Sequence, residues 1–181
     1  FVLTRGAEHG AAGPPAQSAP VTAGSHAGHG TENPPTASTA CSPTWAQPSA
    51  DGQRVFVACN GTSEIVEVNA ADFRVTRRIP AGNGVYNLAV TSNRLIATNR
   101  RDQSVSIFDV ESGRELKKLR TSRRVVHGVV VSSDGRYAFV SVEGVAAEPG
   151  TVEMIDLTAL TTVATVDVGP QAGGLDIWRN P

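Results

Sequence analysis

The sequence predicts an all-β fold, a β-propeller of four-stranded antiparallel blades with about three blades present, on three observations. First, one phrase recurs. It runs Arg54-Val55-Phe56-Val57-Ala58-Cys59 with Ile65-Val66-Glu67-Val68-Asn69, then Arg94-Leu95-Ile96-Ala97-Thr98-Asn99 with Val105-Ser106-Ile107-Phe108-Asp109, then Arg136-Tyr137-Ala138-Phe139-Val140-Ser141 with Val152-Glu153-Met154-Ile155-Asp156. Second, the matching positions Ile65, Val105 and Val152 lie 40 and 47 residues apart, the period of a propeller blade. Third, β-branched residues with period-2 patterning alternate with turn residues, and helix signals are nearly absent.

Taken in order, Phe1-Val2-Leu3-Thr4-Arg5-Gly6 lines up with Phe56 to Gly61 and with Phe139 to Gly144, so residues 1–6 read as a strand remnant of a preceding blade. Residues 7–48 read as a low-complexity linker or insertion. Ala, Gly, Pro, Ser and Thr make up 31 of these 42 residues, too little apolar surface to offset the entropy of ordering. His9, His26 and His29 lie here, and Ser25-His26-Ala27-Gly28-His29 spaces two imidazoles three residues apart. Two ligands without a third or fourth make no site, so no metal is expected.

The blades follow at about 49–82, 83–122 and 123–169, with 172–178 as the inner strand of a closing blade. Ser49-Ala50-Asp51-Gly52 and Ser132-Ser133-Asp134-Gly135 are turns in which glycine supplies positive φ, and Thr91-Ser92-Asn93 is a shorter version. The runs Tyr86–Val90 and His127–Val131 suit inner strands buried on both faces. Asn69, Asp109 and Asp156 end the third strands, where turn-stabilising hydrogen bonds are expected.

These turns and strands resemble the YVTN-type β-propeller repeat family over about residues 49–178. The match is tightest at Ser132-Ser133-Asp134-Gly135-Arg136 with Val152-Glu153-Met154-Ile155-Asp156, while Asn69 stands where the pattern has Asp and the second blade lacks Asp-Gly. The resemblance implies a bacterial or archaeal protein of the periplasm, cell surface or exterior. Propellers close with four to eight blades. The chain is therefore expected to be a C-terminal fragment of a larger, roughly seven-bladed propeller, closed by missing blades or by self-association.

With 16 basic and 17 acidic residues there is no global attraction to nucleic acid or acidic lipid, so any electrostatic function must be local. No apolar run reaches the roughly 18 residues of a membrane span, and the first residues lack a signal-peptide layout. Propellers bind on the face made by loops entering the inner strands and loops between second and third strands. Those loops make Asn60, Tyr86, Asn99, Arg100, Arg101, Arg123, Arg124 and His127 the ligand-binding candidates. Arginines grip anions through paired hydrogen bonds. Against this, the same arginines would form a solvated rim or pair with Asp102, Glu143 and Glu148. His127 is expected to play a structural part, its imidazole bonded to a backbone carbonyl.

No nucleophile, base and orienting acid fall together, so no catalytic residues are assigned and no cofactor is expected. Gly82-Asn83-Gly84 lacks the following helix of a phosphate loop. Cys41 and Cys59 have no metal-like spacing; a buried free thiol at Cys59 is expected over a disulfide. The reading is a non-catalytic binding or scaffold module whose partner is a protein or a small anionic ligand. The alternatives are a propeller domain of a lactonase-like hydrolase or of a heme, copper or quinone oxidoreductase, and a polyanion or nucleic-acid binder using the arginine loops.

Overall fold

The computed structural model describes residues 40–178. The strand remnant at 1–6, most of the linker, and His9, His26 and His29 lie outside the described residues. Within them the regular elements are twelve strands in three antiparallel four-stranded sheets, each built from strands consecutive in sequence. The first sheet is β1 (Pro43–Pro48), β2 (Arg54–Cys59), β3 (Glu64–Asn69) and β4 (Val75–Pro80). The second is β5 (Val85–Val90), β6 (Arg94–Asn99), β7 (Ser104–Asp109) and β8 (Glu115–Arg120). The third is β9 (Val125–Val131), β10 (Tyr137–Glu143), β11 (Thr151–Asp156) and β12 (Thr161–Asp167). Each sheet is one propeller blade, and the inner strands β1, β5 and β9 pack side by side.

The middle blade explains why its strands read as continuous apolar runs. One face gives Leu88, Leu95, Ala97 and Phe108 to a core shared with Phe56 and Ile65 of the first blade. The other gives Ala89, Ile96, Val105 and Ile107 to a core shared with Val129, Val140 and Ile155 of the third. Each of the Val, Leu, Ile and Phe side chains contributes about 1.5–3 kcal/mol when fully buried. The outer strand β12 is exposed along its whole length.

Strand β1 occupies Pro43–Pro48, where composition assigns linker. Proline is tolerated because β1 is an edge strand whose free amide side is not needed by the sheet. Its start is stapled: Cys41 and Cys59 form a disulfide, which overturns the expectation of a free thiol at Cys59. The bond joins the approach to β1 to the end of β2, reinforced by Gly61 N donating to Cys41 O at 2.9 Å and Asn60 N to Ser42 O at 3.1 Å.

All three inner strands break register at the same place, with bulges around Thr44, around Tyr86–Asn87 and around His127–Gly128. A bulge frees a backbone amide, which must find another partner. Thr98 Oγ1 accepts the Asn87 amide at 3.0 Å, and Ser141 Oγ accepts that of Gly128 at 2.9 Å. The same hydroxyls reach the next blade: Thr98 donates to the His127 carbonyl at 2.9 Å and Ser141 to the Gly173 carbonyl. In the first blade Ala58 replaces the hydroxyl, and Thr44 Oγ1 takes over by donating to the Tyr86 carbonyl at 2.7 Å. Residues 171–178 form no strand, yet Gly173 stands where Tyr86 and His127 stand in the preceding blades. No described helix is long and apolar enough to cross a membrane.

Candidate functional site

The bulges bring Tyr86 and His127 to the head of neighbouring inner strands, and their rings meet edge to face with centroids 5.7 Å apart. His127 is held from the other side by Glu143 at the end of β10, with Nε2 2.6 Å from the carboxylate oxygen. This replaces the backbone carbonyl expected as its partner. The imidazole Nδ1 has no hydrogen-bond partner among the described residues.

Above Tyr86 the loop after β6 supplies two cations. The Arg100 guanidinium lies 5.2 Å from the Tyr86 ring centroid, an arrangement in which the ring face attracts the charge. Arg101 is braced by Asn60, donating to its Oδ1 at 3.1 Å, while Asn60 Nδ2 anchors to the Val85 carbonyl at 3.1 Å. Gly84 makes room for this: its φ is +69°, and a Cβ there would stand 2.8 Å from Arg101 Cγ. Asn60, Tyr86, Arg100, Arg101, Thr44 and Val125 surround a cavity of about 410 Å³ at the mouth. Thr44 and Tyr86 also line a second cavity of about 560 Å³ that runs along the inner strands as the channel, with His127 and Asn87 on its wall.

The acids of this face are already engaged. Asp102 accepts the Asn83 amide at 2.8 Å and lies 3.6 Å from Lys118, Glu143 holds His127, and Glu148 sits 3.4 Å from Arg123. Arg100 and Arg101 therefore have no carboxylate partner among the described residues, and the site carries uncompensated positive charge.

The remaining candidates part company with this cluster. Asn99 is fully buried, its Nδ2 donating to Ser106 Oγ at 2.8 Å and Ser104 Oγ at 3.1 Å, so it supports the loop from beneath and does not face a ligand. Arg123 turns outward to Asp167 at 3.1 Å and the Pro149 carbonyl at 3.0 Å. Arg124, exposed and without a partner among the described residues, borders a separate cavity of about 410 Å³ with Arg120 and Glu148. Sequence reasoning missed Thr44, Glu143 as the His127 partner, and Asn87. Among the described residues no three His, Cys, Asp or Glu groups converge as a multidentate metal site.

The fold has clear relatives among solved structures. The chain superimposes on the hydrazine synthase of Kuenenia stuttgartiensis with a TM-score of 0.69 and 20% identity, covering 77% of this chain and 40% of that one. U3-55K and the WD40 repeats of RRP9 each give a TM-score of 0.63 and 16% identity, covering 72% of this chain and 40% of theirs. These likenesses establish the propeller fold, and the chain spans well under half the length of each relative. No curated protein matches the sequence. Residues 89–180, just over half of the chain, match the family model described as the Cytochrome D1 heme domain, and on that match the chain belongs to this family of β-propellers.

Proposed function

We propose that the chain is a ligand-binding propeller module that holds an anionic group at the loop-rich mouth of its channel. The observation that carries this reading is the pair Arg100 and Arg101, free of carboxylate partners, set over Tyr86 around an open cavity. Guanidinium groups bind carboxylates and phosphates through paired hydrogen bonds, and the Tyr86 ring and Asn60 hold them in place before a ligand arrives. The test is a calorimetric titration with small carboxylates and phosphates against the wild-type chain and the R100A/R101A variant. Binding that weakens with salt and disappears in the variant supports the reading, and equal affinity in both rejects it. The blades are read as YVTN-type repeats, on the Ser-x-Asp-Gly turns and the third-strand Asp residues.

A second reading, a heme-carrying propeller, is favoured by the family match and by the His127–Glu143 pair. Imidazoles that bind metals commonly pass their other ring N–H to a carboxylate, which is the part Glu143 takes here. Nδ1 of His127 would then be the ring nitrogen left to hold the iron, and Arg100 and Arg101 would hold the carboxylates of a porphyrin. The channel cavity of about 560 Å³ falls in the range of cofactor pockets. A bound heme would supply one-electron redox chemistry. Hemin titration reads this out: a Soret shift abolished by His127→Ala supports it, and an identical spectrum in both proteins removes it. The Cys41–Cys59 bond supports placement in an oxidising compartment, the periplasm, cell surface or exterior.

A further inference from the structure

Asn87 follows Tyr86 on the bulge of β5 and is 93% buried, with a relative exposure of 7%. Its backbone is served on both sides by Thr98 Oγ1, which accepts from its N–H and approaches its carbonyl at 3.4 Å. Its side chain is not served at all. The Oδ1 atom is buried without a hydrogen-bond partner, and the amide nitrogen likewise has none among the described residues. Buried polar groups in folded proteins are nearly always paired, so an unpaired amide calls for a physical reason.

The repeat does not supply that reason. At the equivalent position the third inner strand carries Gly128, and Gly174 follows Gly173 in the next register, so neither the bulge nor the hydroxyl link needs an amide. Location does supply one. Asn87 lines the channel cavity, which shares Thr44 and Tyr86 with the cationic cavity at the mouth. A ligand passing Tyr86 would meet guanidinium groups at one end and a carboxamide at the other.

We infer that Asn87 is a specificity-determining contact that reads an amide in the body of a carboxylate-bearing ligand, making the preferred ligand class an N-acylated amino acid or short peptide with a free carboxylate. A carboxamide offers one acceptor and two donors, so it matches a peptide group with both halves satisfied, which neither a hydrocarbon nor a simple anion can do. The inference rests on the mouth site proposed above and adds the chemistry of what enters the channel.

The test uses acetyl-trialanine with a free carboxylate, its C-terminal amide, and octanoate, titrated calorimetrically into the full 181-residue chain and into N87L, N87A and R100A/R101A. Wild type is expected to prefer acetyl-trialanine over both controls, with N87L and N87A weakening it by about tenfold, the loss of one well-made hydrogen-bonding contact. Octanoate affinity should not be weakened by either Asn87 variant and should be reduced by R100A/R101A. N87L should melt no lower than wild type, since it removes an unpaired buried amide, and this separates lost recognition from lost folding. Arg-dependent octanoate binding with no preference for the peptide, or unchanged peptide affinity in N87L and N87A, overturns the Asn87 inference and leaves the mouth site standing. No carboxylate binding at all overturns the mouth site, and the inference with it.

Discussion

Thr98 Oγ1 accepts the amide of Asn87 and donates to the carbonyl of His127, so one buried hydroxyl closes the bulge of its own blade and ties that blade to the next. The candidate side chains on either side of it, Tyr86 and His127, are positioned by this link. Thr98→Val keeps the shape and removes the hydroxyl. It leaves a donor and an acceptor unpaired, with an expected loss of about 1–3 kcal/mol per orphaned group. Thr98→Ser, which keeps the oxygen, should lose well under half as much. Urea unfolding of both variants decides it, and equal stability of Val and wild type would mean that water replaces the link at no cost.

The disulfide has a second consequence beyond stability. Cys59 precedes Asn60, and Asn60 holds Arg101 in the mouth, so the bond between Cys41 and Cys59 secures the base on which the cation rests. With a sequence separation of 18, replacing both cysteines by alanine is expected to cost about 3 kcal/mol from the unfolded chain's regained freedom. Anion affinity at the mouth should fall as well, under conditions where the variant is still fully folded by circular dichroism. Unchanged affinity would show that the Asn60 anchor to the Val85 carbonyl suffices alone.

Acid should loosen the ends of the blades first. The carboxyls of Asp51 and Asp134 are held below the usual range, chiefly by the hydroxyls of Ser49 and Ser132 and then by the amides of Gln53 and Arg136. Asp109 is lowered first by the Ser112 hydroxyl, and Asp156 by the amides of Ala159 and Thr158. Each group is ionised in the fold at a pH where the unfolded chain, with Asp near about 3.9, takes up a proton. Their stabilisation is therefore complete above that value and is lost as pH falls through the lower folded values. Stability measured against pH should be flat from neutrality to about pH 5 and fall below about pH 4. Asp134→Asn should flatten the acid limb and lower the neutral plateau, since the stabilisation lost in acid is the one the carboxylate gives at neutral pH, and an unaltered acid limb would assign the acid sensitivity elsewhere.

What was legible in the sequence was local. The Ser-x-Asp-Gly turns, the strand phrases and the terminal Asn69, Asp109 and Asp156 each make hydrogen bonds within a few residues, so composition and spacing carry them. Strand β1 was hidden because Pro43 and Pro48 at its ends read as linker, although an edge strand has no need of those amides. The disulfide was hidden because two cysteines say nothing of pairing until β1 and β2 are known to be neighbours. The Glu143–His127 contact was hidden by the bulge: the register that the Asp-Gly turn sets, with Ala138 on Val131 and Val140 on Val129, continues to His127 opposite Val142, and only the shift at His127–Gly128 pairs Glu143 with Val125 and leaves His127 as its diagonal neighbour. Asn99 misled because its strand end looked like a loop, whereas Ser104 and Ser106 draw its amide inward.

The far end of each blade turns through a left-handed residue. The turn from third to fourth strand closes when the amide of the fourth residue after Asn69, Asp109 or Asp156 donates back to its carbonyl, at 2.8 to 2.9 Å in all three blades. That residue is Phe73, Gly113 or Leu160, with φ of +58°, +70° and +56°. The conformation is free for glycine and costs roughly 1–2 kcal/mol for a residue with a side chain. Phe73 receives no compensating burial, since 81% of it is exposed. Phe73→Gly should therefore raise stability, by about 0.5–1 kcal/mol once glycine's greater freedom in the unfolded chain is subtracted. It should also reduce association through the exposed ring. The reverse change in the middle blade, Gly113→Ala, should lower stability, because a Cβ there would also stand 3.0 Å from the Arg77 guanidinium. Paired denaturation curves for the two variants test the sign, and a destabilised Phe73→Gly would overturn the strain argument.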